Sequence, residues 1–281
     1  MDTFQQKLIN LPIVRKNIFP QEGVHFVWLG QSGFLFSVNG LLVLVDAYLS
    51  NYLEKNHGEL PYEHGRMIAP PVSEALYPEI DLVVVTHGHE DHLDPLLIQR
   101  LGEVNKKALF VAPPGCVTQL KACDIPEERV RTISPGNPFS MGSSIYIEGF
   151  PAAHPNPEFD ASKVWSLSYR FHFGDKNLLF AGDTTVFPEW SDWVIKTHCD
   201  VVILPVNGRD PKKEANGIVG NMTFHEAIIV ALANRTALLG THFGMFAFNT
   251  INEDAFQQEI TKLGLNESVS LTQEGFMYSF N

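Results

Sequence analysis

The sequence predicts an α/β fold of four layers, αββα, in which two β-sheets pack face to face with helices on both outer sides. Three observations predict it. Two successive series of short apolar runs each begin as a meander and pass into alternating strand and helix patterns. No Pro/Gly/Ser-rich linker or low-complexity tract separates the series, so residues 1–281 read as a single domain. Hydrophobic residues make up 44% of the chain, and the 21 Gly and 18 Pro are scattered, which is the composition of a folded, loop-rich globular protein.

The first series opens with Val24–Leu29, Gly33–Val38 and Leu41–Val45. Asn39-Gly40 joins the last two runs, and both residues tolerate the positive φ of a type I′ turn, so this pair is an antiparallel hairpin. Residues 46–80 show no period and are rich in Tyr, His, Glu, Gly and Pro, the pattern of a long functional excursion. Asp81–Thr86 (DLVVVT) is a continuous apolar run, a strand covered on both faces. Asp94 as N-cap and Pro95 at the first helical position start a helix near 95–102. Strand 108–112, a helix near 114–122 and strands near 130–133 and 144–150 follow. The second series has strands 166–173 and 178–181, helix Glu189–Lys196 and strand Val201–Leu204. Helix Thr223–Ala233, which Thr223 and Glu226 open as a capping box, strand Thr236–Thr241 and helix Glu253–Leu263 complete it.

The formal charge of -12, from 32 acidic and 20 basic residues, repels polyanions, so nucleic acid is not an expected partner. No apolar stretch approaches the roughly 18 residues of a membrane span. The opening MDTFQQKLINLPIV has polar residues where a secretory signal needs an apolar core, and Cys116, Cys123 and Cys199 form neither a disulfide framework nor a metal knuckle. These features point to the cytoplasm, to ordinary thiols, and to a small-molecule partner; they are compatible with a homo-oligomer.

Chemistry concentrates in His87-Gly88-His89-Glu90-Asp91-His92, directly after the buried strand. Composition alone would place His-x-His-x-Asp-His in such a chain on the order of one time in a thousand. His87 and His89 converge on one ion from an extended segment, while Asp91 and His92 point to a neighbouring position. Imidazole and carboxylate donors suit zinc, manganese or iron, and paired sets suit a two-metal site. Further donors are expected at strand ends: His154 after Phe150, Asp183 in Ala-Gly-Asp-Thr, and His242 after Thr241. Gly182 would let backbone approach the metals, and Asp183 could bridge them. Asp46, ending the third strand, either orients a ligand imidazole or makes a turn. His25, His172, His198 and His225 read as structural, whereas His57 and His64, in the long loop, are placed to face a substrate.

His-x-His-x-Asp-His, a lone His, Gly-Asp-Thr and a final His, in order over residues 24–243, resemble the metallo-β-lactamase superfamily. The resemblance implies the αββα sandwich, one metal site of His87, His89 and His154, a second of Asp91, His92 and His242, and a bridging Asp183. Its cofactors would be two divalent metal ions, zinc or manganese. Within that superfamily, Trp28–Phe34, His57–Met67, Asn207-Gly208-Arg209-Asp210-Pro211 and Asn221-Met222-Thr223 resemble the L-ascorbate-6-phosphate lactonase family.

That resemblance implies a hydrolase opening a phosphorylated sugar lactone by attack of water activated at the metals, with Asp91 holding or shuttling the proton. Asn207, His64 and the basic patch Arg209, Lys212 and Lys213 would receive the substrate, the cations anchoring an anionic group such as phosphate. Two alternatives stand beside it: a dinuclear-metal phosphodiesterase and a non-catalytic metal-stabilised interaction module. A redox di-iron role fits less well, because that branch resembles His-x-Glu-x-Asp and the second histidine here is His89.

Overall fold

The computed structural model describes residues 4–57, 62–196 and 198–280. The first sheet is built from β1 (Phe4–Leu8), β2 (Val24–Gly30), β3 (Gly33–Val38), β4 (Leu41–Val45), β5 (Leu82–Val84), β6 (Leu109–Ala112) and β7 (Val130–Thr132). The second holds β8 (Phe139–Met141), β9 (Ile145–Pro151), β10 (Leu167–Phe173), β11 (Lys176–Phe180), β12 (Val201–Pro205), β13 (Ala237–Thr241) and β14 (Val269–Leu271). The last strand, β15 (Phe276–Phe280), returns to the first sheet, whose order is β1-β15-β2-β3-β4-β5-β6-β7; the second runs β14-β13-β12-β11-β10-β9-β8.

The αββα prediction holds, and both sheets are assembled alike: an antiparallel meander, then parallel strands added on one side. The β3–β4 hairpin turns at Asn39 and Gly40, with φ of 49° and 80°. Side chains on alternate positions divide between two cores. Phe26, Phe34, Phe36, Val43 and Val45 point to the inter-sheet core with Phe171, Phe173 and Phe180; Val27, Leu29, Leu35, Leu42 and Leu44 point to the opposite face. That face is covered by α2 (Pro95–Val104) and α3 (Val117–Ala122), which follow the short α1 (Tyr52–Asn56). On the far side, α4 (Pro188–Ile195), α6 (Phe224–Asn234) and α7 (Glu253–Lys262) cover the second sheet, with the four-residue α5 (Pro211–Glu214) between α4 and α6.

Two expectations change. The strand predicted over Asp81–Thr86 ends at Val84, because beyond it the Thr86 N–H donates to the Asp46 carboxylate, at 2.7 Å, instead of to a neighbouring strand. Strands β1, β8, β14 and β15 lie outside the predicted set; β1 (FQQKL), at the sheet edge, is mostly exposed and has no alternation to announce it. The three cysteines are buried, and burial pushes the Cys116 thiol up to about 12 and that of Cys123 to about 11, which suits inert core thiols. Among the described residues no helix is long and apolar enough to cross a membrane.

Phe36 joins the sheets: its ring lies 5.3 Å from that of Phe173 and 6.1 Å from that of Phe171, and it is fully buried. Phe36→Ala is therefore expected to cost about 3–5 kcal/mol, read as a lower urea midpoint at unchanged slope.

Candidate metal centre

The sandwich brings the ends of β5, β9, β11 and β13 to one edge, and the loops there carry His87, His89, Asp91 and His92, then His154, Asp183 and His242. His87 Nε2 and His154 Nε2 lie 3.1 and 3.0 Å from His89 Nδ1. Ligands of one tetrahedral zinc, each about 2.0–2.1 Å from it, stand roughly 3.4 Å apart, so this triangle fits a single ion. Asp91 Oδ2 lies 3.7 Å from both His92 Nε2 and His242 Nε2, a second set that can hold a cation. Asp183 stands between the sets: Oδ1 is 3.2 Å from His92 Nε2, while Oδ2 is 3.0 Å from His242 Nε2 and 3.6 Å from His154 Nε2.

His92 Nε2 and Asp183 Oδ1 are buried and face one another without a hydrogen bond. Buried polar atoms left in this way are rare, and a shared cation satisfies both, so the donor set fits the metals that the sequence implies.

Asp46 fixes the geometry from behind. Its carboxylate accepts from Thr86 N and Oγ1 and, at 2.8 Å, from His92 Nδ1, which turns His92 Nε2 toward the other donors. Of the two roles open to Asp46, the structure places it behind the imidazole. Gly182 is explained differently from the expectation: at φ +60°, a Cβ there would meet the Thr86 side chain at 2.8–2.9 Å, so glycine makes room for Thr86 rather than for the ions.

Gln31 is a further residue at the site, inside a motif whose role the sequence left unassigned. Its Nε2 donates to Asp91 Oδ2 at 2.8 Å and lies 3.2 Å from His242 Nε2. Its backbone carbonyl accepts from Trp28 Nε1, Thr241 Oγ1 and His242 N, which ties the β2–β3 turn to the end of β13. Trp165 was equally silent in the sequence; its ring packs edge-on, 4.9 and 5.3 Å from those of His89 and His87. The signal in both cases is only a contact across sequence.

The two donor sets differ electrostatically. Burial, reinforced by His92, His89 and His154, holds His87 well below the usual histidine range, and burial takes His154 down to about 4. Both rings are thus neutral, the form that ligates. At His92 burial acts in the same direction, but Asp183, Asp91 and Asp46 outweigh it and hold the imidazole well above its ordinary value. Burial alone would raise Asp183, yet His242 and His92 keep it well below the carboxylate range.

A cavity of about 170 Å³ opens over the cluster, lined by Leu53, Ile218, Val219, Phe246 and Phe248, with His57, His64, Glu90 and Asn249. His64 lines this cavity; residues 58–61 of the His57–Met67 stretch lie outside the described residues. The basic patch is not there. Arg209, Lys212 and Lys213 do not line this cavity: Arg209 forks onto both oxygens of Glu226, at 2.7 and 2.8 Å, and also donates to the Asn221 carbonyl. It borders a separate hollow across the Gly217–Val219 segment, and the two lysines sit on α5. The expectation of a cationic anchor at the metals is corrected accordingly; the capping-box Glu226 claims the arginine. Asn207 also stays outside the cavity, but donates to Asn249, which lines it.

A two-sheet sandwich with strand-end histidines and aspartates arranged in two sets joined by one carboxylate defines a metal-binding protein of metallo-β-lactamase type. A family profile described as Beta-lactamase superfamily domain matches residues 42–243, and the chain belongs to that family. An uncharacterized protein of Mycobacterium tuberculosis (strain ATCC 25618 / H37Rv) is 27% identical over 178 residues, 62% of this chain and 46% of that protein, so the chain spans about half the length of that relative. A UPF0173 metal-dependent hydrolase of Hyperthermus butylicus is 21% identical over 255 residues, 90% of this chain and 98% of that one. The crystal structure of a possible metal-dependent hydrolase from Veillonella parvula superposes with a TM-score of 0.74 at 14% identity, covering 92% of this chain and all of that one, which speaks for the fold alone.

Removing the Gln31 donor while keeping its length, in Gln31→Met, is expected to weaken cation binding at the Asp91/His92/His242 set by about 10–100-fold and to leave the three-histidine set unchanged, as read by stepwise metal titration. Because His92 keeps its proton without a cation, loading must displace it. Affinity at that set should rise with pH through and beyond the usual histidine range, with proton release visible in calorimetry in buffers of different ionisation enthalpy.

Proposed function

We propose that the protein is a metal-dependent hydrolase that opens an acyl bond, a lactone or ester, using two divalent cations. The observation that carries this reading is Asp183, whose two oxygens reach toward both donor sets. Cations bound there would supply Lewis acidity, bringing the pKa of water to about 7 and polarising a carbonyl.

The protein's own groups account for the rest. His87, His89 and His154 present neutral nitrogens from a pocket edge closed by Trp165, which limits water behind them. Asp91 is the more accessible carboxylate, 18% exposed against 5% for Asp183, so a proton leaving water at the cavity meets Asp91 first. Gln31 holds one Asp91 oxygen in place, and the proton passes from this carboxylate to the departing alkoxide. The metal-dependent hydrolase named among the relatives agrees with this reading, as does the resemblance to L-ascorbate-6-phosphate lactonases in its lactone-opening part. The phosphate-binding part has less support, because Arg209 is paired with Glu226.

Offered a simple lactone and bis(p-nitrophenyl) phosphate side by side, the metal-loaded protein is expected to turn over the lactone. Turnover of the diester alone would make it a phosphodiesterase. A chelator, His89→Ala and Asp183→Ala are each expected to abolish hydrolysis with the circular dichroism spectrum retained; full activity in Asp183→Ala would overturn the reading, and turnover of neither substrate would favour a metal-stabilised interaction module.

A further inference from the structure

We infer that the substrate's arm remote from the reacting bond is uncharged and apolar, and that the wall formed by Ile218, Val219, Phe246 and Phe248 with Leu53 receives it. The inference rests on the hydrolase reading for where the reacting bond lies, and on the cavity itself for the arm.

Two independent features of the cavity lead there. The first is charge. Among the described residues lining it there is no Lys or Arg, and residues 58–61, Gly-Glu-Leu-Pro in sequence, carry none. Apart from the metal-binding donors, the formally charged side chain of the wall is Glu90, which repels an anion. An anionic group at the reacting bond would meet the cations, but one on a remote arm would be desolvated against aliphatic and aromatic carbon with no counter-charge, which is strongly unfavourable. Arg209 lies across the Gly217–Val219 segment with its guanidinium fork committed to Glu226.

The second feature is the way the wall is held. The Phe246 and Phe248 rings lie 5.8 Å apart and nearly parallel, and the Phe248 ring stacks in turn on Tyr62 at 5.0 Å. His64 stands edge-on to both phenylalanines, at 5.9 and 4.9 Å. Its Nδ1 is buried without a partner, and the ring lines the cavity. The aromatic surface is therefore preorganised before any ligand arrives. His64 and Asn249 supply neutral hydrogen-bonding groups, the number and kind that orient an ester or lactone without demanding a charge.

The test uses one lactone ring with either a butyl or phenyl arm or an arm ending in phosphate, given to the metal-loaded protein, together with the non-hydrolysable lactam of the neutral compound. The neutral lactone is expected to have a kcat/KM at least roughly tenfold above its phosphorylated partner. Ile218→Arg should narrow or reverse that ratio, and Phe248→Ala, at a partly buried position, should lower kcat/KM for the phenyl arm by more than it lowers that for an unsubstituted lactone. Calorimetric binding of the lactam, measured with and without metal, should weaken in Phe248→Ala whether or not turnover occurs. Preference of the wild type for the phosphorylated arm, or an unchanged ratio in a folded Ile218→Arg protein, overturns the inference and leaves the hydrolase reading standing. Lactam binding that depends on Phe248 with no lactone hydrolysed supports the arm assignment and removes the hydrolase reading instead.

Discussion

The buried carboxylate of Asp46 is the constraint on which the metal edge depends. Burial pushes its pKa up, and contacts with His92 and Thr86 offset this only in part. In exchange for that desolvation it fastens three things at once: the end of β4, the chain leaving β5 through Thr86, and the rotation of the His92 ring. Gly182 belongs to the same device, because Thr86 occupies the space that a side chain there would need.

Around this clasp the site divides its charge unevenly. Three imidazoles driven neutral by burial form one donor set, while carboxylates surround His92 and His242 in the other. Asp183 is shared because β11 emerges between β10 and the parallel strands, between the loop that carries His154 and the loop that carries His242.

The wall above the cluster has a different origin. It comes from loops that belong to neither sheet: the excursion after β4, the segment after α5 and the turn after β13. The excursion after β4 is tied to the turn after β13 by the Met67 N–H to the Met245 carbonyl, and the loop after β12 is tied to that turn through Asn207 and Asn249 and to α6 through Arg209 and Glu226. Binding surface and scaffold are thus separable, so a common metal edge can serve different substrates as the loops change.

By itself the sequence determined the elements and the donor types. Alternation, continuous apolar runs, an Asn-Gly turn and an Asp-Pro helix start act over a few residues, and so could be read along the chain as two meanders with helical connections. His87, His89, Asp91 and His92 were legible for the same reason, being packed into six residues after a buried strand. The edge strand β1 was not, since an exposed edge strand needs no alternation and is recognised only by its partner, β15, which itself lies inside the sheet between β1 and β2. Tertiary structure alone decided that Arg209 faces Glu226 rather than the metals, that Gln31 reaches Asp91 across sixty residues, and that the cavity wall is apolar. Ion pairing, hydrogen bonding and desolvation depend on distance through space, and only the folded chain sets which groups are near.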